Sequence, residues 1–85
     1  MIYAVLITRR AQKELANLPK DAYERVKSAI AALAANPRLP GCLKLAGIDG
    51  WRIRVSDYRV LYEIDVSLFQ VTVVHVGHRR DVYRN

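Results

Sequence analysis

The chain has a single cysteine, Cys42, so no internal disulfide can form. With two histidines and no paired-cysteine motif, it also lacks the ligand set of a zinc site. No metal and no cofactor are expected, and a reducing cytoplasm is the expected location. Four glycines and three prolines in 85 residues exclude collagen-like and low-complexity architectures. Long apolar runs are missing too. After the N-terminal segment the longest covers residues 29–35, far short of the ~18 residues that span a bilayer, so no membrane association is expected. Residues 2–7 are apolar and precede Arg9 and Arg10, the reverse of the basic-then-apolar order of a signal peptide. Acidic side chains are scarce as well. Eight Asp and Glu face 14 Lys and Arg, a net charge of +6, which is the electrostatic footprint of a polyanion binder, nucleic acid first.

What is present is a globular balance, 52% hydrophobic and 26% charged. A chain of this length supports one domain with one core, residues 1–85. Residues 2–7 form a β-favouring run that reads as a strand buried on both faces. Thr8 stands where an N-cap belongs. Ala11, Leu15 and Leu18 then follow helical spacing up to Pro19, with Arg9, Arg10, Lys13 and Glu14 on the other face. Asp21 is placed to cap a second helix, whose stripe of Ala22, Val26, Ala29, Ile30 and Leu33 ends before Asn36 and Pro37. The two helices make a hairpin. Residues 36–50 read as a crossing loop with Leu43 and Leu45 tacked to the core. Residues 51–55, 58–64 and 69–76 carry strand signatures separated by turns, an antiparallel meander of three strands. The fold class is α+β, in the order β-α-α-β-β-β.

Every basic residue after Lys44 is arginine, the side chain whose planar fork suits phosphate. With period-two alternation, Trp51, Ile53 and Val55 face the core while Arg52 and Arg54 share the other face, roughly 7 Å apart. If Ser56 and Asp57 form a two-residue hairpin loop, Arg54 lies directly opposite Arg59. Opposed like charges cost a fraction of about 1 kcal/mol, so the cluster makes sense where an anion is to sit. Alternation alone also produces a solvated sheet face, partly balanced by Asp57, Glu63 and Asp65. Trp51 reads as a core anchor, His75 as a structural histidine inside the last strand, and Cys42 as a small loop or core residue.

The string from Trp51 to Ile64, with Tyr58-Arg59 inside it, and the run Val76-Gly77-His78-Arg79-Arg80-Asp81-Val82-Tyr83 resemble the RelE branch of the RelE/ParE toxin superfamily. The resemblance extends over the whole layout. It implies the toxin of a type II toxin–antitoxin system, a metal-independent endoribonuclease that cuts messenger RNA in the ribosomal A site. Arg52, Arg54, Arg59, Arg79 and Tyr83 fill the catalytic positions in kind. The first two are lysines in characterised members, and arginine does not accept a proton near neutral pH. Proton movement then falls to Tyr83, as the family implies, or to His78, whose unperturbed pKa lies nearer neutrality. Arg9, Arg10, Lys13, Lys44 and Arg80 are candidates for contact with RNA or the ribosome. Implied partners are a RelB-like antitoxin, ribosome and messenger RNA, with operator DNA reached only through the antitoxin complex. Two other functions stay open: the ParE branch inhibits DNA gyrase on the same fold, and a non-catalytic nucleic-acid-binding module would need no site at all.

Overall fold

A computed structural model describes residues 2–45 and 50–78. Along them lie β1 (Ala4–Ile7), α1 (Arg9–Ala16), α2 (Lys20–Ala32), β2 (Leu43–Lys44), β3 (Trp51–Val55), β4 (Tyr58–Asp65) and β5 (Gln70–His78). The strands form one sheet in the order β1-β5-β4-β3-β2. β1 runs parallel to β5, and the other neighbours are antiparallel. The α+β class and the meander are as expected; β2 is an added edge strand within the segment read as a loop.

Both helices pack on one face of the sheet, α1 against β5 and α2 against β4 and β3. Ala11 and Leu15 of α1 and Val26, Ile30 and Leu33 at the α2 stripe meet Ile53, Val60, Tyr62, Val71, Val73 and Val76 in a single core. Burial of such side chains contributes about 1.5–3 kcal/mol each before entropy is counted. Because only one face is covered among the described residues, β1 is not buried on both sides there. It is an edge strand with alternating exposed and half-buried residues, and Leu6 is 48% exposed. Leu43 is likewise corrected. It lies on β2, paired with Arg52, and is half exposed rather than tacked to the core.

The local helix signals divide. The Thr8 hydroxyl accepts the Ala11 amide at 3.2 Å, so α1 is capped as its sequence implies. α2 instead enters from Pro19 with no side-chain cap. Asp21 lies inside the first turn, where its charge still complements the helix N-terminus.

Two long-range polar contacts fasten the layers. Glu14 was expected on a solvated helix face, yet its carboxylate accepts the Val76 amide at 3.0 Å and meets His75 Nδ1 at 2.8 Å. A carboxylate can only accept, so Nδ1 carries the proton, and His75 is the structural residue that the sequence suggests. Its Nε2 is buried without a hydrogen-bond partner among the described residues. The second contact is the Tyr62 hydroxyl, which donates to the Pro37 carbonyl at 2.7 Å inside the core. Burial first, and then neighbouring Cys42, pushes the Tyr62 phenol far above its ordinary range.

These contacts generate two expectations. Glu14→Ala should cost about 2 kcal/mol, because the Val76 amide and His75 are left without their acceptor. Glu14→Gln, which keeps an acceptor, should cost less; equal urea midpoints for Glu14→Ala and the parent chain would show that Glu14 clamps nothing. For Tyr62, the unfolded chain releases the phenolic proton near the ordinary value of about 10 while the folded chain keeps it. The stabilisation is thus complete below that pH and is lost as pH rises above it, by up to about 1.4 kcal/mol per pH unit. Tyr62→Phe should flatten that alkaline limb in denaturation curves taken between neutral and strongly basic pH.

Candidate functional site

The hairpin joining β3 to β4 turns at Ser56 and Asp57, and its pairing places Val55 opposite Tyr58 and Arg54 opposite Arg59. Ser56 takes a positive φ of 55°, the left-handed backbone that a tight hairpin requires at its first central residue. Arg25 of α2 donates to the Ser56 hydroxyl at 3.0 Å and ties the turn to the helical layer. Alternation then puts Arg52 and Arg54 of β3 and Arg59, Leu61 and Glu63 of β4 on the face away from the helices.

β5 completes this face. Its ladder with β4 shifts register between Leu61 and Tyr62, so that Val74 is an extra residue between Val73 and His75. The bulge lets Val73 and Val76 both enter the core, which strict alternation forbids. It also sets Gly77, with no side chain, opposite Arg59. Arg59 is half-buried. Its Nε has no hydrogen-bond partner among the described residues, and one terminal nitrogen reaches only the Tyr58 carbonyl at 3.5 Å. Among the described residues Arg52, Arg54 and Arg59 form no salt bridge; the arginine–carboxylate pair there is Arg10–Glu14.

Arg52, Arg54 and Arg59 thus share one face, with a buried Arg59 Nε unsatisfied; planar guanidinium forks donate to the oxygens of an anion such as phosphate, and partial burial strengthens such an interaction. His78 lies elsewhere. Its register partner is Tyr58, with the rings 5.7 Å apart edge to face, on the side of Val76 rather than with the arginines. Arg9, Arg10 and Lys13 project from exposed positions on α1, across the sheet from the arginine face, and Arg10 pairs with Glu14 at 3.4 Å. Lys44 stands on β2, and its ammonium lies 5.6 Å from the centre of the Trp51 ring. Arg79, Arg80 and Tyr83 lie outside the described residues. No group of three or more His, Cys, Asp or Glu able to hold a metal occurs among the described residues, and no helix there is long and apolar enough to cross a membrane.

Comparison with known proteins connects this geometry to a family. The profile of the family described as ParE toxin of type II toxin-antitoxin system, parDE, matches residues 5–83. The chain belongs to the RelE/ParE toxin superfamily. Toxin RelE of Mycobacterium tuberculosis is 34% identical over 84 residues, covering 96% of this chain and 87% of that protein. The fold superposes on the RelBE2 toxin–antitoxin complex of the same organism with a TM-score of 0.82 at 29% identity, covering 93% of this chain and 100% of that one. An archaeal RelE–RelB complex from Pyrococcus horikoshii gives the same TM-score and identity, over 96% and 100% of the two chains. This chain is therefore a type II toxin of RelE type.

Sequence reasoning missed Glu14 as a clamp, the bulge at Val74, and the cations around Trp51. The first and last join residues far apart in the chain, and no periodic signal reports such contacts.

If the opposed arginines are held against their mutual repulsion, Arg54→Gln should raise stability at low salt by a few tenths of a kcal/mol, up to about 1. Added sodium chloride should shrink the gain. Inorganic phosphate should raise the melting temperature of the parent chain more than that of the variant; equal shifts would show that the face does not hold an anion.

Proposed function

We propose that this toxin is a ribosome-dependent messenger RNA endonuclease of the cytoplasm that cuts in the A site by attack of the ribose 2′-oxygen on the adjacent phosphate. The observation that carries the reading is the direct Arg54–Arg59 pairing with Arg52 on the same face, unsatisfied by any carboxylate among the described residues. The reaction needs proton removal, stabilisation of charge on the phosphorane and protonation of the leaving 5′-oxygen. Arginines meet the second need. Arg52, Arg54 and Arg59 face the phosphate with donors whose hold strengthens as charge develops, and the family resemblance adds Arg79 to them. Proton movement is assigned to Tyr83, because guanidinium keeps its proton at neutral pH; His78, which register turns to the side of Val76, is the weaker alternative. Arg9, Arg10, Lys13, Lys44 and Arg80 supply ribosome or RNA contacts. Solved relatives occur as RelB–RelE complexes, which supports a RelB-like antitoxin that covers the arginine face; operator DNA is reached through that complex.

The test is cleavage of a defined messenger RNA on translating ribosomes, run beside a DNA gyrase supercoiling reaction. Cuts within the A-site codon, with 2′,3′-cyclic or 3′-phosphate ends and poor cleavage of naked RNA, are expected. Arg59→Ala should lower the single-turnover rate by about 10²–10³ with ribosome binding nearly unchanged. Tyr83→Phe should also lose most of the rate, and His78→Gln should lose it instead if the imidazole moves the proton. Gyrase inhibition without cleavage would transfer the chain to the ParE activity, and parental rates from Arg59→Ala would refute the site.

A further inference from the structure

We infer that Arg38, Trp51 and Lys44 form a second RNA-backbone contact, at the β2–β3 edge and apart from the arginine face; the inference rests on the RNA-directed reading above. Trp51 is the single tryptophan of the chain. Its half-buried ring has the Arg38 guanidinium carbon 5.3 Å and the Lys44 ammonium 5.6 Å from its centre. The placement has two separate origins. Lys44 is the cross-strand partner of Trp51 in the β2–β3 ladder. Arg38 arrives from the turn after α2, where the Asn36 side chain accepts its amide at 3.1 Å.

Each cation–π contact at an exposed site is weak, and bringing two cations to one ring works against both. Among the described residues neither cation has a salt-bridge partner. The cluster thus places two positive charges beside one half-buried ring, both exposed and with donors available to an anion.

Continuity identifies the occupant. Arg52 lies on the open face and pairs with Leu43, and the adjacent pair of the ladder, Lys44 with Trp51, is turned to the opposite face. Arg54, Arg52, Lys44 and Arg38 therefore form a basic belt that passes around the sheet edge from one face to the other. A flexible strand with a charge at every residue can wrap such an edge and meet all four. An acidic helix lying on one face reaches only part of the belt, so the geometry favours an RNA backbone over an acidic protein segment.

The experiment uses the purified full chain and a 2′-O-methyl RNA dodecamer, which lacks the attacking hydroxyl and cannot be cut. Affinity is read from anisotropy of the labelled RNA, and occupancy of the edge from Trp51 emission. Binding should change the emission saturably. Arg38→Gln combined with Lys44→Gln should weaken affinity about tenfold near 0.1 M salt and reduce the logarithmic salt slope by about 1.4, roughly 0.7 for each phosphate of a single strand no longer neutralised. The charge-preserving pair Arg38→Lys and Lys44→Arg should restore both values. Unchanged affinity and slope in the double glutamine variant, RNA binding with unaltered Trp51 emission, or failure of the charge-preserving pair to restore binding would overturn the inference. So would a poly-glutamate peptide that displaces the RNA and reproduces the emission change at equal charge concentration. A chain that binds here and cuts no messenger RNA would leave this second site standing and remove the nuclease reading. Cleavage with a silent Trp51 would do the reverse.

Discussion

Register across the β3–β4 hairpin is the constraint that the remaining structure answers to. Side chains alternate with period two, so a slip of one residue would turn Ile53, Val60 and Tyr62 outward and bury Arg52, Arg54 and Arg59 beneath the helices. A two-residue turn leaves no slack for that slip. Ser56 accepts a left-handed backbone to make the turn, and Arg25 holds it from the helical layer. Apolar burial and arginine display are therefore one event: the driving force that seats Val60 and Tyr62 also presents the like charges opposite one another. Their repulsion, a fraction of about 1 kcal/mol, is small beside the burial of even one core side chain.

The two faces divide the work. One carries the helical hairpin and all the deep packing, and the other carries cations over a sheet with no helix on it among the described residues. The bulge at Val74 reconciles them, because it allows Val73 and Val76 to reach the core while Gly77 stays opposite Arg59. Glu14 and Tyr62 then fasten the periphery. Glu14 holds α1 to β5 beyond the end of β1, and Tyr62 holds the segment after α2 through Pro37.

Chemistry on the open face is restricted by the choice of arginine. A guanidinium cluster stabilises negative charge that develops on phosphate and contributes no base. A site of this kind needs its proton donor and acceptor from another part of the chain or from its assembly. The relatives resolved as toxin–antitoxin complexes share this fold at 29% identity.

By itself the sequence determined the elements whose causes are local. Thr8 as cap, the stripe of Val26, Ile30 and Leu33, the hairpin at Ser56 and Asp57, and hence the Arg54–Arg59 pairing, all follow from spacing and turn length over a few residues. The resemblance carried by residues 51–64 and 76–83 led to the family that the comparisons show. Tertiary structure alone decided which strand faces were covered, so the apolar run of β1 ended on an exposed edge. It also turned Glu14 from a solvated face toward β5, brought Leu43 and Lys44 into the sheet as β2, and drew Arg38 to Trp51. Each of these depends on a partner many residues away. Such a partner is set by packing free energy across the whole chain, and no short window of sequence contains it.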